Sequence, residues 1–315
     1  MNAYTSEVGG EHIQLAVVDS VLYPSSGMEL TTDVTNNYIA SDDRDTTGHG
    51  SRILMILRAF APKAVYNCYR VVAGDEEFRT SNFLKAMADI RDDNIDVVNI
   101  SAGKGHVDCG GRCRICEAVE AVVSEGTVVV AGAGYLKSDG EYGVFCPARS
   151  RQSITVAMSE SVCTASPEGM NQLNTGPDIF RPPGAYWATD TLDDPPYPGE
   201  IYCGGNRCSP YHTCENNKVD QYWYGNPNWE SYVPEVAAPG HLPVNINEDG
   251  GFQLEPGTSY STAVVSGAVT TVVSEVYPPI PSQQRISRLI ESTSQSMDCG
   301  IVGKLDMEGL RDTML

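Results

Sequence analysis

Short apolar runs alternate with amphipathic stretches along the first half of the chain. The apolar runs occupy residues 13–20, 64–72, 95–101 and 127–134. Runs of this length and composition predict parallel strands that are buried on both faces of a sheet. Helical spacing of apolar residues marks 48–60, 81–94 and 116–126, and Ser81 is the predicted N-cap of the second helix. The alternation predicts an α/β fold with a parallel central sheet and helices on both faces.

The pattern changes after about Ser166. Residues 167–232 are rich in Pro, Gly, Asn, Tyr and Trp and show little periodicity. Because this composition favours turns and irregular structure, we predict an irregular Cys-rich insertion there. Regular patterning returns at 233–240, and two further helices are predicted at 257–276 and 282–293. We therefore expect a single domain over residues 1–315 that carries the insertion.

Composition and charge narrow the class of protein. The 315 residues are 41% hydrophobic, which is enough for a sizeable core, and the net charge is −20. Such an acidic surface repels phosphate, which disfavours nucleic-acid binding. No apolar run approaches the roughly 18 residues of a spanning helix, so no membrane span is predicted. The first residues lack the features of a signal peptide. This predicts a cytoplasmic protein, or a secreted one if the chain is a mature fragment.

Three polar residues stand at positions where catalytic groups collect. Asp19 ends the first predicted strand, His49 begins a predicted helix between two glycines, and Ser259 stands where a loop enters the helix at 257–276. The carboxyl ends of parallel strands form the usual ligand-binding edge of an open sheet. A carboxylate, an imidazole and a hydroxyl in this chain order could form a nucleophilic triad. Ser259 would attack, His49 would take its proton, and Asp19 would orient the imidazole.

The segments around these residues resemble the subtilisin-like serine peptidases, the subtilase family. The matching motifs are AVVDS around Asp19, GHGS around His49, DVVNISAG at 96–103, VAAPG at 236–240 and GTSYSTAVVSG around Ser259. The resemblance covers nearly the whole chain outside the insertion. It implies a serine endopeptidase that cleaves a protein or peptide through an acyl-enzyme and needs no cofactor for catalysis. Two alternatives stay open: a catalytically silent subtilase-fold binding or scaffold module, and a peptide ligase that passes the acyl group to an amine.

The resemblance also implies where a substrate binds. It places an extended peptide beside Ser101, Ala102 and Gly103, as a strand added to the edge of the sheet. A further substrate contact is expected at Gly132. Phe145 aligns loosely with a small residue that lines the S1 pocket of the family. If the ring fills that pocket, it favours a small P1 side chain; core packing is the alternative role for Phe145.

One position departs from the family pattern at the expected oxyanion hole. In the family, an asparagine amide there donates to the oxyanion together with the N–H of the catalytic serine; here VVVAGAG is followed by Tyr135. In subtilisin itself, loss of that amide donor lowers turnover by about 10²–10³-fold. The Tyr135 hydroxyl could donate instead. It could also point away and leave the Ser259 N–H with another donor, or the site could be inactive.

Six of the ten cysteines fall into two clusters. The first is Cys109, Cys113 and Cys116, and the second, inside the predicted insertion, is Cys203, Cys208 and Cys214. Structural zinc takes four ligands. The first cluster could therefore bind zinc with a fourth ligand from the second cluster, from His106 or from His212. Disulfides are the alternative for both clusters, because an irregular insertion needs cross-links, and free thiols are a third state.

Overall fold

A computed structural model describes the segments that carry the predicted strands and helices. The described residues are 9–20, 32–39, 48–72, 78–104, 109, 111–134, 144–159, 202–203, 206–207, 235–246, 252–276, 278–294 and 305–314. The strands are β1 (Gln14–Asp19), β2 (Thr32–Asn37), β3 (Val65–Arg70), β4 (Val97–Ile100), β5 (Val128–Gly132), β6 (Ile154–Ser159), β7 (Tyr202–Cys203), β8 (Asn206–Arg207), β9 (Val236–Pro239), β10 (His241–Ile246) and β11 (Phe252–Pro256). The helices are α1 (His49–Phe60), α2 (Thr80–Asp92), α3 (Arg114–Ser124), α4 (Thr258–Val276), α5 (Gln283–Thr293) and α6 (Met307–Met314). Of the predicted insertion at 167–232, only β7 and β8 lie among the described residues.

Seven parallel strands form the central sheet, in the spatial order β2-β3-β1-β4-β5-β6-β9. Alternate residues of β1 serve the two faces: Leu15 and Val17 belong to the core on one side, and Ala16 and Val18 to the core on the other. The four apolar runs of the first half form β1, β3, β4 and β5. The predicted parallel α/β fold is therefore confirmed.

Helices cover both faces of this sheet. On one face α1, α4 and α5 pack through residues such as Leu54, Val265 and Ile290, together with α6. On the other face α2 and α3 pack through residues such as Phe83 and Val119. All five of these side chains are fully buried. Each strand of the sheet centre is thus covered above and below, which explains why its sequence is apolar without a polar alternation.

Helix α4 runs through the core and is the longest helix in the described part of the chain. Most of its 19 residues are buried. Its buried hydroxyls have partners: Thr262 Oγ1 donates to the Thr258 carbonyl at 2.6 Å. Ser266 Oγ donates to Asn99 Oδ1 of β4 at 2.9 Å, which fixes the helix against the sheet. None of the helices among the described residues is long and apolar enough to cross a membrane.

The start of α2 differs from the expectation. Its N-cap residue is Arg79, and Ser81 lies inside the first turn. The Arg79 carbonyl accepts from the N–H groups of Asn82 and Phe83 at 3.0 and 3.2 Å. The prediction that Ser81 caps this helix is wrong, because the helical turn has already begun at Thr80.

Candidate active site

The expected acid and base meet at the carboxyl end of the sheet. Asp19, the last residue of β1, is fully buried, and its Oδ1 lies 2.8 Å from His49 Nδ1. A carboxylate accepts, so Nδ1 holds the proton in this pair and Nε2 is left as the basic nitrogen. About 30% of the His49 side chain is exposed. The imidazole therefore joins a buried carboxylate to the surface of the molecule.

The backbone around this pair fixes its geometry. Gly48, the N-cap of α1, has a left-handed φ of 65°, which glycine adopts at little cost. The Ser20 N–H and Oγ donate to Asp19 Oδ1 at 2.6 and 3.1 Å, and Ser20 Oγ accepts from the Gly50 N–H at 3.0 Å. Ser20 thus ties the end of β1 to the first turn of α1. Ser20 was not predicted as a site residue, although it directly follows Asp19 in the sequence.

Ser259 lies in the first turn of α4 and contacts the segment that follows β4. Its Oγ donates to the Ser101 carbonyl at 3.3 Å, and Ser101 Oγ donates to the Ser259 carbonyl at 3.1 Å. Asn99 Nδ2 donates in turn to Ser101 Oγ at 3.0 Å. The first-turn N–H groups of a helix lack intrahelical partners and form the positive end of its dipole. This position therefore suits a group next to which negative charge develops.

Tyr260 connects the histidine to the first turn of α4. The ring centroids of Tyr260 and His49 lie 5.8 Å apart, with an interplanar angle of 37°. The Tyr260 hydroxyl accepts from Arg52 Nε at 3.1 Å. Because Ser259 precedes Tyr260 in the chain, this contact brings the first turn of α4, which contains Ser259, next to His49. Tyr260 was not predicted as a site residue; its one signal in the sequence is its position directly after Ser259.

The turn that precedes Tyr135 is held against α4. Thr258 Oγ1 accepts from the Gly134 N–H at 3.3 Å and donates to the Gly134 carbonyl at 3.2 Å. Thr258 directly precedes Ser259, and Gly134 directly precedes Tyr135. The two segments therefore meet next to Ser259. Tyr135 itself, with 136–143, lies outside the described residues.

The expected substrate-binding residues 101–103 follow β4, and the next residue, Lys104, pairs with Cys146 on one edge. Lys104 and Cys146 exchange two backbone hydrogen bonds of 2.8 and 3.0 Å. A Cβ on Gly103 would lie 2.7 Å from the Cys146 carbonyl oxygen, so this close approach requires glycine. Ser101, Ala102 and Gly103 are all partly exposed. Their other edge is the one that Ser259 approaches.

Gly132 and Phe145 differ in their relation to the site. A Cβ on Gly132 would lie 2.9 Å from Thr262 Oγ1, so this glycine lets α4 approach the end of β5. The structure thus gives Gly132 a packing contact with α4. Phe145 is half-buried, and its N–H donates to the Ala133 carbonyl at 2.9 Å. Its ring lies against Gly134, where a Cβ would come 2.5 Å from a ring carbon.

Four thiols converge beside the substrate-binding segment. Cys109, Cys113 and Cys116 are joined by Cys146, and the four sulfur atoms all lie within 4.8 Å of one another. The Sγ–Sγ distances are 3.4 Å for Cys109–Cys116, 3.7 Å for Cys113–Cys116, 3.6 Å for Cys113–Cys146 and 3.7 Å for Cys116–Cys146. All four are free thiols. This group of donors could hold a metal ion.

Three of these thiols have pKa values that depart from the ordinary value of a cysteine. Burial raises the pKa of Cys109, but hydrogen bonds from the neighbouring thiols and the Cys113 backbone outweigh it and lower the pKa to about 6. Burial raises the pKa of Cys113 to about 11. The hydrogen bond with Cys116, together with burial, raises the pKa of Cys146. Cys109 therefore loses its proton more readily than Cys113 or Cys146.

The fourth potential ligand beside Cys109, Cys113 and Cys116 is not one of the residues that were expected from the sequence. Within the described residues it comes from Cys146, which lies 30 positions after Cys116 and gave no spacing signal. Of the partners expected in its place, Cys203 is described in its backbone alone. The others lie outside the described residues: Cys208, Cys214, His106 and His212.

Comparison with known proteins agrees with this fold. The sequence profile of the Subtilase family matches residues 29–309. No curated protein sequence matches the chain. Three solved structures match it with these values: the prenylagaramide maturation protease PagA (TM-score 0.63, 14% identity, 98% of this chain and 95% of that one), the patellamide maturation protease PatA (0.63, 16%, 97% and 98%), and a cold-adapted subtilisin-like serine proteinase (0.62, 16%, 96% and 90%). At these identities the structural likeness shows the fold alone.

Proposed function

The chain belongs to the subtilase family, a family of serine proteases, and from this premise we propose that it is an endopeptidase that hydrolyses peptide bonds through an acyl-enzyme. The observation that carries the proposal is the 2.8 Å contact between Asp19 and His49, next to the first turn of α4, which contains Ser259. Subtilases need no cofactor for catalysis, so the proposed reaction uses only residues of this chain and water. The substrate is a protein or peptide.

In the proposed mechanism, Ser259 Oγ attacks the scissile carbonyl carbon while His49 Nε2 takes its proton. Asp19 accepts from Nδ1, keeps the basic nitrogen available and stabilises the imidazolium. His49 then gives the proton to the leaving amine, and the C–N bond breaks to leave the acyl-enzyme. A water then attacks this ester while His49 takes its proton, and His49 gives that proton to Ser259 Oγ as the C–O bond breaks and the acid product leaves. Because Asp19 is fully buried, water screens its attraction to the imidazolium only weakly.

Negative charge develops on the substrate carbonyl oxygen during both attacks. We propose the Ser259 N–H as one donor, since it lies in the first turn of α4, where N–H groups and the helix dipole stabilise an anion. The Tyr135 hydroxyl is the proposed second donor. Its support is the pair of hydrogen bonds between Thr258 and Gly134, the residues that precede Ser259 and Tyr135.

The substrate is proposed to bind as an added strand along the free edge of the segment that follows β4. The Lys104 N–H and carbonyl both bond to Cys146. In an extended segment, the backbone groups of successive residues face opposite edges. Gly103 and Ser101 therefore share the opposite edge, with Ala102 between them. The contact from Ser259 Oγ to the Ser101 carbonyl lies on that edge. The same carbonyl can accept from a substrate N–H next to the scissile bond.

Phe145 is proposed to narrow the pocket that receives the P1 side chain. It is half-buried, and its ring lies against Gly134, which is bonded to Thr258 at the start of α4. A phenyl ring this close to the serine helix leaves little volume for a large substrate side chain. The enzyme should therefore prefer small P1 residues.

Peptide cleavage by matched serine variants tests the proposal. Ser259→Ala and Ser261→Ala each remove one hydroxyl from α4, and Ser261 Oγ is bonded to the Ala238 carbonyl at 2.9 Å in the core. With a peptide library as substrate, Ser259→Ala should lose at least about 10⁴-fold in kcat. Ser261→Ala should keep wild-type activity within about tenfold, since a lost buried hydrogen bond affects stability more than chemistry. Equal cleavage by wild type and Ser259→Ala would show that this serine is not the nucleophile.

Two further outcomes separate the other readings of the fold. A folded wild-type protein that cleaves no peptide and forms no covalent adduct at Ser259 would favour a binding or scaffold module. Product analysis with an added amine nucleophile separates hydrolysis from acyl transfer. Products that gain the amine in place of water would favour a peptide ligase.

A further inference from the structure

We propose that Cys109, Cys113, Cys116 and Cys146 bind one structural zinc ion. The ion stabilises the substrate-binding edge, which is formed by residues 101–103. The four ligands come from three segments: the loop that follows this edge, the start of α3, and the segment at Cys146 that pairs with Lys104. The metal site does not depend on the proposed peptidase function. Its effect on peptide cleavage does rest on that function.

The sulfur positions match the geometry of a tetrahedral zinc site. A Zn–S bond of about 2.3 Å places the ligands of a regular tetrahedron about 3.8 Å apart. Four of the sulfur pairs lie 3.4 to 3.7 Å apart, and all pairs lie within 4.8 Å. A disulfide bond needs about 2.05 Å, so it would require two sulfur atoms to leave this arrangement.

The type and number of ligands indicate zinc in a structural role. Tetrahedral sites of four thiolates hold zinc or iron–sulfur centres. A cluster with several iron and sulfide ions would hold the thiolates further apart than the 4.8 Å limit found here. Four protein ligands leave no position for water or substrate, which is typical of structural zinc. The spacing of Cys113 and Cys116, with two residues between them, also matches the short ligand spacing of such sites.

The surroundings favour the negative charge of a zinc–tetrathiolate centre. Cys113 is the N-cap of α3 and Cys116 lies in its first turn, where the helix dipole stabilises anions. Arg112 and Arg114 flank Cys113 in the chain and add positive charge. When zinc binds, each thiol that is still protonated releases its proton to solvent, and the sulfur donates an electron pair to the ion. No oxidation or reduction is involved.

The ion would connect α3 to the substrate-binding edge through Cys146. Cys146 exchanges two backbone hydrogen bonds with Lys104, and its carbonyl oxygen limits residue 103 to glycine. Phe145, the preceding residue, packs against Gly134. Zinc bound by the four thiols therefore fixes the segment at Cys146, which pairs with Lys104 next to the substrate-binding residues 101–103. Its removal should loosen peptide binding more than it changes the reactivity of the catalytic serine.

Metal analysis of the full chain tests the site. The wild type, Cys146→Ser and Cys68→Ala are produced with zinc in the medium and measured by inductively coupled plasma mass spectrometry. Cys68 is a buried free thiol of β3 outside the cluster, so its variant controls for the loss of one thiol. We expect about one zinc per chain in wild type and Cys68→Ala, and less than about a tenth of that in Cys146→Ser.

If Cys146→Ser does not fold, thiol alkylation of the wild type decides. Protection of the four cysteines that a chelator abolishes supports the zinc site. Three results would each overturn it: unprotected thiols, a mass lower by two hydrogens per disulfide, or bound iron in place of zinc, with or without inorganic sulfide. For an active enzyme, zinc removal should raise KM while a fluorophosphonate still labels Ser259. A wild type that binds zinc but neither cleaves nor labels would refute the peptidase and leave the metal site standing.

Discussion

Replacement of Gly103 by alanine tests the substrate-binding edge quantitatively. The added Cβ would lie 2.7 Å from the Cys146 carbonyl oxygen and 3.4 Å from Pro147 Cδ. Real Cβ contacts essentially never fall below 3.0 Å, so the two segments must separate by at least the 0.3 Å between these values. This stretches the 2.8 and 3.0 Å hydrogen bonds between Lys104 and Cys146. With roughly 1 kcal/mol for each bond, the variant should lose about 1–2 kcal/mol of stability.

The same shift should be measurable in peptide cleavage. A misplacement of about 1 Å in an active site can cost about 10²-fold, so a shift of a few tenths of an ångström should lower kcat/KM by roughly 3- to 10-fold. Fluorophosphonate labelling, which does not use the edge, should change much less. Gly126→Ala is the matched control, because its Cβ meets no atom within 4 Å but its φ of +103° makes alanine strained. That strain costs roughly 1–2 kcal/mol.

Peptide cleavage by Gly103→Ala is compared with that by Gly126→Ala, a variant of similar expected stability. Stability is measured by urea denaturation, and kcat/KM with an extended peptide of at least four residues. If Gly103→Ala cleaves peptide as well as Gly126→Ala, the segment at 101–103 does not position the substrate, and the proposed binding mode is refuted.

The remaining predictions concern single groups. Asp19→Asn should lower kcat by about 10⁴-fold, because the imidazole loses its orienting carboxylate; a kcat within tenfold of wild type would remove Asp19 from the mechanism. Tyr135→Phe should lower kcat by about 10²-fold with little change in KM if the hydroxyl donates to the oxyanion, and an unchanged kcat assigns the second donor elsewhere. Phe145→Ala should shift the P1 preference in a peptide series towards larger side chains, whereas an unchanged profile makes Phe145 a packing residue. Burial raises the pKa of Glu235 from 4.5 to about 7. Between these two pH values the native state keeps a proton that the unfolded chain has lost. The free energy of unfolding should therefore fall by up to roughly 3 kcal/mol as the pH rises from 4.5 to 7. Urea denaturation at pH 4.5 and 7.5 should show that fall in wild type and not in Glu235→Gln; an equal fall in both would contradict the assignment.

The sheet centre could be predicted because its strands are covered on both faces. The apolar run that contains Leu15 and Val17 has no other stable place than the interior. Strand β6 (Ile154–Ser159) escaped prediction, although most of its residues are apolar, because no helical spacing follows it in the sequence before the irregular region begins. The start of α2 was misplaced because Ser81 is a good cap in isolation, whereas the turn at Arg79 decides where the helix begins.

Site residues could be predicted only where they stand at the boundary of a predicted strand or helix. Asp19 and His49 end a strand and begin a helix, and such boundaries are visible in the sequence. Cys146 could not be found in this way, because it reaches the other thiols through the pairing of Lys104 with its own segment. Tyr260 packs on His49 through the crossing of two helices. Contacts of this kind depend on tertiary packing, for which spacing along the chain gives no signal.

The most direct test of the account is to map the covalent adduct of a fluorophosphonate on the wild-type protein. The reagent captures a hydroxyl that is activated as a nucleophile, and peptide mass spectrometry locates the modified residue. We expect one adduct per chain, on Ser259; His49→Ala should abolish it and Ser261→Ala should keep it. A folded wild-type protein without an adduct, or an adduct on another residue, would contradict the proposed mechanism.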